Sequence, residues 1–424
     1  MVPQWRIGLA ALTKLAYQGG DLNPLRLDLV TRIFKGGLSA GALMDLSVIE
    51  QLHGNLEAGL DWQSKAFESC RMFVTCQGKA ARKRVLVFAA PIHMGGNAPV
   101  DFLLQGEAFE IVTYYPGADS SPSAMPVLPP HDIAFCAAPA DAEDAEVFFQ
   151  NVRRISAQTG IHVLNLPEKL VKPERDTLPV LFEQTAGLRL PKTVRVERGA
   201  LVDNLYTGED TALLDGIGYP YVVRPVGSHA GLGLAKIESP GEMFAYLEQR
   251  PEPEFFVGEF IEYASDKDGS FRKYRIVLVD GKAYPCHMAI SDQWDVWYMN
   301  ANMTESEAKR LEEAEFMDTF DSTFNKRHRA AFTALAEGIG LDYFGIDCAE
   351  DADGNLVVFE ADNALIVHDM DCETTFPYKK RHMHRIFSAF EAMLETHSST
   401  DLSGASEDPE VGQVADQLDQ HAMA

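Results

Sequence analysis

Tyr343-Phe344-Gly345-Ile346-Asp347, then Asp351-Ala352-Asp353-Gly354-Asn355, then Leu356-Val357-Val358-Phe359-Glu360-Ala361-Asp362 carry the clearest structural signal in the chain. Two apolar runs flank an Asp-Gly turn, the pattern of neighbouring strands in a hairpin. Such a hairpin brings Asp347 close to Glu360 and Asp362, and the two-residue spacing puts Glu360 and Asp362 on one strand face. Three carboxylates at a sheet edge repel one another unless a cation stands between them. Hard oxygen ligands of this kind suit Mg²⁺ held against a polyphosphate. A solvated acidic hairpin accounts for the same residues, and both readings stay open on this stretch alone. Cys348 falls on the face opposite Asp347, where core packing is its role.

Upstream, the strand-like Tyr219-Pro220-Tyr221-Val222-Val223-Arg224-Pro225 leads into a loop with glycines at 227, 231 and 233 around Ser228, followed by the apolar Leu234-Ala235-Lys236-Ile237. Small residues there let backbone N–H groups turn together toward an anion. Strand rather than helix follows the glycines, which excludes a dinucleotide fingerprint. Next come Phe255-Phe256-Val257-Gly258-Glu259-Phe260-Ile261-Glu262, Asp268-Gly269, and Arg272-Lys273-Tyr274-Arg275 opening a second hairpin.

A glycine hairpin, an acid-bearing strand, a cationic strand and a carboxylate cluster, in this order, resemble the ATP-grasp superfamily, and within it the RimK-like and glutathione-synthetase-like ligases. The resemblance covers about residues 190 to 395. It implies an α+β fold: an ATP-grasp domain preceded by a small parallel α/β domain, with ATP and Mg²⁺ as cofactors. It implies that Arg224 stands for a lysine touching the nucleotide, and that Gly227, Ser228, Gly231 and Gly233 form the lid over the phosphates. By the same resemblance Glu259, Phe260 and Ile261 form the adenine hinge and Asp268 serves the ribose. Arg275 would face the transferred phosphoryl group, with Asp347, Glu360 and Asp362 as magnesium ligands. Three departures stand out. Arg224 offers a planar fork instead of a point charge. Asp362 replaces a common asparagine. The second lysine of the family is not evident, and Arg175-Asp176-Thr177 occupies its region.

The activity implied is ATP-dependent carboxylate–amine ligation through an acyl phosphate, on an amino-acid or peptide substrate, with a peptide or protein acceptor also compatible. Phosphoryl transfer asks for in-line positioning and charge neutralisation, so no nucleophilic Ser or Cys is demanded. Rival readings keep the fold but pass the acyl group to a thiol, stop at phosphoryl transfer, or make the chain a non-catalytic interaction protein with a degenerate nucleotide clasp. Four further residues are substrate candidates. His287 is a base or a carboxylate-orienting group, against the plainer reading of a strand histidine bonded to backbone. Asn300 and Asn302 could supply the family's asparagine near the phosphates. His368 lies where a substrate loop would follow the metal strand, but a helix cap explains it as well. Trp294 and Trp297 read as core. Lys379-Lys380-Arg381-His382 reads as the solvated start of the last helix, or as a run that attracts an acidic substrate.

The chain has 424 residues, room for two or three domains. Its 37 Lys and Arg against 63 Asp and Glu give a net charge of −26, which disfavours nucleic acid and anionic membranes as partners. No run reaches membrane-spanning length. Six cysteines without metal-like spacing fit a reduced, cytoplasmic protein. Oligomeric state stays open, a dimer included. Residues 1–80 read as helices, with a tetratricopeptide-like pair over 42–67 that reads as a helical hairpin docked on the next domain, a leader- or partner-binding role being the sharper alternative. Residues 81–189 alternate strands and helices, with His93-Met94-Gly95-Gly96-Asn97 as a candidate substrate loop and otherwise a plain turn. The ATP-grasp part runs over 190–397, with Thr304-Glu305-Ser306-Glu307 as a capping box. An acidic tail without Lys or Arg, 398–424, reads as disordered.

Overall fold

The computed structural model describes residues 2–35, 39–76, 83–105, 109–117, 126–139, 145–166, 174–207, 210–228 and 231–398. His229 and Ala230 of the glycine loop and the tail after Ser398, read as disordered, lie outside the described residues. The chain is α+β, as expected, and forms two compact units. One comprises Met1–Pro167, Asn363–Asp371 and Met383–Ala424; the other comprises Glu168–Asp362 and Cys372–His382.

The first unit is built on a six-stranded sheet in the order Gln4–Trp5, Met72–Cys76, Phe109–Tyr114, Lys83–Phe88, Ile133–Cys136, Val163–Leu164. Every pairing is parallel except that of Met72–Cys76 with Phe109–Tyr114. The strands at 4–5 and 72–76 fall within the stretch read as purely helical. Short apolar runs beside helices carry little periodic signal, and here pairing across the sheet sets their conformation. The helical pair is Ala40–Leu52 and Leu56–Ser69. A Cβ at Gly59 would lie 2.9 Å from the Ser47 carbonyl oxygen, so glycine permits the close approach of the two helices. Leu43, Met44 and Ala66 join Phe73, Leu86, Phe88, Val112 and Ala134 in one core. The His93–Asn97 loop is pinned as a turn: Met94 N donates to Gln51 Oε1 at 2.8 Å, and Asn97 exchanges bonds with Ala90 at 2.8 and 3.0 Å.

The second unit holds two sheets. A four-stranded antiparallel sheet runs in the order Ala235–Ile237, Tyr221–Pro225, Glu254–Glu259, Thr193–Glu197. Tyr221, Val223, Ile237, Met243, Leu247, Phe255 and Val257 form its core. A five-stranded sheet runs Lys282–Ser291, Phe271–Val279, Tyr343–Glu350, Leu356–Asp362, Leu188–Arg189, antiparallel but for the last pair. The decisive hairpin forms as read. Asp351 closes its turn by accepting from Asp353 N and Asn355 N at 3.1 and 2.8 Å, and Gly354 takes φ 80. The capping residue of helix Glu307–Thr319 is Ser306, which accepts from Lys309 N, two residues later than Thr304.

Candidate active site

Four neighbouring strands of the five-stranded sheet align one residue each into a row. Glu360 lies opposite Asp347, Asp347 opposite Arg275, and Arg275 opposite His287. The facing is set by the core. The Tyr274 ring packs on Phe316 and Phe324 at 4.8 and 4.7 Å, so its neighbours Lys273 and Arg275 must leave the sheet on the other side. Register shifts fall between Arg275 and Ile276 and between Asp347 and Cys348. Two bulges thus re-aim the strands beside the row, a local device common at functional sites. Asp362 lies opposite Gly345, which carries no side chain to compete for that face.

The cations in this row are the protein's own. Arg275 donates from Nε and Nη2 to both oxygens of buried Asp347, at 2.8 and 3.2 Å. Lys273 Nζ stands 2.8 Å from Asp347 Oδ2. Arg175 Nη2 lies 2.6 Å from Glu360 Oε1, and its Nη1 donates to the Phe359 carbonyl at 2.8 Å. Burial alone would raise the Asp347 carboxyl, but Arg275 and Lys273 outweigh it and hold the group well below the usual range. Glu360 is likewise held down against burial, chiefly by Arg175. His287 is driven well below its ordinary value by burial first and by the Arg275 charge second, which keeps the imidazole neutral.

Three carboxylates on one sheet face are a donor set that suits a hard divalent ion. As they stand, however, Asp347 and Glu360 are engaged with arginine and lysine. Among the described residues no three His, Cys, Asp or Glu side chains form a group that could hold a metal.

Arg224 leaves the four-stranded sheet at the start of the glycine loop. Its Nε donates to Ser228 Oγ at 3.0 Å, its Nη2 donates to the Ser228 carbonyl, and Ser228 Oγ donates to Pro225 O at 2.7 Å. Burial, then the nearby Arg175 charge, push Arg224 down to about 10, so it remains a cation at neutral pH. Gly227, Gly231 and Gly233 take φ of 74, 73 and 71. The loop therefore turns through backbone conformations that glycine alone adopts without strain. At the expected hinge, Glu259 pairs with Arg189 at 2.5 Å, Phe260 lies 4.1 Å from Lys236 Nζ, and Ile261 is buried.

Other candidates resolve differently. Asp268 is exposed and held by Arg272 at 2.8 Å, and that pair plus the Ser270 amide depress its carboxyl. Asn300 closes a local turn, accepting from Trp297 N at 2.9 Å, and exposed Asn302 takes φ 52. His368 belongs to the first unit, where it accepts from Met370 N at 3.2 Å and meets the Tyr17 ring at 5.8 Å. His287 meets the Tyr298 ring at 4.7 Å.

Sequence reasoning missed Lys273 and the role of Arg175. Lys273 was findable, since position i−2 from Arg275 shares its strand face. Arg175 precedes the sheet by many residues and carries no periodic signal. Lys379 was read as solvated and is instead buried. It donates to the Tyr298 hydroxyl and lies 3.7 Å from Glu313, a fully buried acid that also accepts from Tyr378 at 2.6 Å and Met288 N at 3.0 Å. A buried charge is tolerated where a counter-ion and hydrogen bonds satisfy it, and linear sequence does not show such partners. The cysteines at 70, 136, 286, 348 and 372 are free thiols, and among the described residues no helix is long and apolar enough to cross a membrane.

No family model and no curated protein matches this chain. Solved structures to which it is similar include a RimK-domain ATP-grasp protein from Sphaerobacter thermophilus, at 16% identity and TM-score 0.40, covering 74% of this chain and 99% of that one. The VanG D-Ala:D-Ser ligase from Enterococcus faecalis is 14% identical at TM-score 0.43, covering 74% and 99%. The ATP-grasp ligase PsnB, complexed with minimal precursor, Mg and ADP, is 14% identical at TM-score 0.38, covering 72% and 98%. At this distance no residue's role passes from them to this chain; the comparisons that find a likeness find it to ligases, ATP-grasp proteins among them.

Proposed function

We propose that this chain is an ATP-dependent carboxylate–amine ligase of the ATP-grasp type, acting on an amino-acid or peptide substrate and releasing ADP and phosphate. The observation that carries the proposal is the row Glu360–Asp347–Arg275–His287 flanked by Lys273 and Arg175. It gathers cations for a migrating phosphoryl group and carboxylates for a metal on one sheet face.

In the proposed reaction a substrate carboxylate oxygen attacks the γ-phosphorus and ADP leaves. An amine then attacks the acyl carbon, phosphate departs, and the amine loses a proton. Arg275 and Lys273 hold the migrating group in line while Arg224 and the glycine-loop amides hold the polyphosphate. Glu259, Phe260 and Ile261 border the base. Neutral His287, next to Arg275 in the row, can orient the substrate carboxylate by a hydrogen bond, and the amine's proton leaves with the departing phosphate. Asp347, Glu360 and Asp362 would hold magnesium, which when bound neutralises the charge on the phosphates. The glycine loop covers the site and limits hydrolysis of the activated acyl group. The motif resemblance to RimK-like ligases supports the substrate class.

The test is ADP and phosphate release from MgATP across pools of amino acids and peptides, with Glu360→Gln as the blank. Release that depends on one pool supports the reading. Formation of AMP and pyrophosphate instead, or no nucleotide binding at all, removes it.

A further inference from the structure

We infer that the cavity between the N-terminal helices and the six-stranded sheet is a binding site for a small primary alkylamine in its ammonium form. The cavity lies wholly within the first unit, and the inference is independent of the ligase reading above.

Met44, Ser47, Val48 and Gln51 recur at i, i+3, i+4 and i+7 along the helix Ala40–Leu52, so they share one face. Opposite them stand Val87, Ile111 and Thr113, which share one side of the sheet. Such faces ordinarily close as apolar contact. Here Ser47 is small, Arg6 enters beside Thr113, and a cavity of about 60 Å³ remains between helix and sheet. Ala89, Tyr115 and Ala137 also line it, each directly following the carboxyl end of a parallel strand. Open α/β sheets take their ligands outside those ends. The remaining wall is fixed in advance. Gln63 Nε2 donates to the Ile92 carbonyl at 3.0 Å, Gln51 Oε1 accepts from Met94 N at 2.8 Å, and Asn97 exchanges two bonds with Ala90. A wall held this way loses little freedom when a ligand binds.

The buried charges select the ligand's sign. Arg6 commits its donors to three hydroxyls: Nε to Thr75 at 3.1 Å, Nη2 to Thr113 at 3.1 Å and Nη1 to Tyr115 at 3.5 Å. An anionic ligand would have to break that set. Asp101 Oδ2 stands 3.5 Å from Arg6 Nη2, and Asp45 accepts from the backbone N–H groups of Ile7 and Gly8 next to it. The three buried groups sum to 1 − 2 = −1. Burial raises both carboxyls in spite of the Arg6 charge. An ammonium group donating to Asp101 and to the Ser47 hydroxyl brings the sum to zero. Met44, Val48, Val87 and Ile111 then offer its carbon chain an apolar bed. The volume admits roughly four to six non-hydrogen atoms, the size of propylamine or butylamine.

Titration calorimetry of the full chain with propylamine hydrochloride at neutral pH, without nucleotide, tests the inference. Sodium propionate serves as the anion of matching size. The expected result is saturable binding of propylammonium at one site, with Kd between about 10 µM and 10 mM, and no binding of propionate. Asp101→Asn should weaken the amine by about tenfold or more. Val48→Phe fills the cavity while leaving its charges intact and should abolish binding, with melting curves checking that both variants fold. The two variants also separate the cavity from the acidic surface, where a cation attracted by the net charge of −26 would bind equally well to all three proteins. Saturable propionate binding, no propylammonium site below about 10 mM, or amine binding unchanged by both variants overturns the inference.

Discussion

Asp347 and Arg275 face each other across neighbouring strands, and the guanidinium fork covers both carboxylate oxygens at 2.8 and 3.2 Å. A two-point contact fixes orientation as well as charge, which a lysine ammonium does not reproduce. Arg275→Lys should therefore keep the fold and lower ADP release by roughly 100-fold, as expected for loss of a positioned charge at a developing phosphoryl group. Single-turnover ADP formation measures it, and an unchanged rate would take Arg275 out of the reaction.

Asp347 and Glu360 differ in what their neutralisation should cost. Asp347→Asn leaves Arg275 and Lys273 buried against a neutral amide and should destabilise the protein by about 3 kcal/mol. Glu360 is partly exposed, and Glu360→Gln should cost less than about 1 kcal/mol. Denaturant titration of the two variants checks the order. Equal costs would show that the row is not a buried ion-pair system.

Two glycines of the loop should respond unequally to alanine. At Gly233, with φ 71, a Cβ would meet the Arg250 guanidinium at 2.5 Å and Pro225 Cδ at 2.8 Å. At Gly227, with φ 74, no atom lies within 4 Å. Gly227→Ala should cost only the left-handed backbone strain, about 1 kcal/mol, whereas Gly233→Ala adds the clash and should weaken ADP binding more. Calorimetric affinities for the two variants decide it.

Much of the second unit was legible in sequence because its signals are local. The Asp-Gly turn, the alternation around Glu360 and Asp362, and the three loop glycines each specify conformation within a few residues. Three acids at a sheet edge implied a cation between them. The cations found there are Arg275, Lys273 and Arg175, and Arg175 stands 185 residues before Glu360, the acid it pairs with. The short strands at 4–5 and 72–76 and the buried Lys379–Glu313 pair were illegible for the same reason. Their character is conferred by partners distant in the chain, and a lysine in a basic run looks solvated until those partners are known.

The first unit carries a pH-dependent group. Asp45 is buried and accepts from Ile7 N and Gly8 N at 2.9 and 3.1 Å. Burial raises its carboxyl from 3.8 to about 6 despite those bonds. A folded-state value above the unfolded one means the native state binds the proton more tightly. The stabilisation is present below about pH 4 and is lost as pH rises through about 6, amounting to about 3 kcal/mol. Asp45→Asn should remove this slope, so the difference between wild-type and variant stability should change across that window. Parallel curves would contradict the assignment.

An oxygen-18 label followed from the carboxylate of whichever substrate pool stimulates ADP release decides whether the chain ligates. An acyl-phosphate ligase transfers one labelled oxygen to inorganic phosphate and forms ADP, phosphate and amide in equal amounts. Unlabelled phosphate, or ADP formed without amide, would show that the chain hydrolyses or transfers phosphoryl groups and does not ligate.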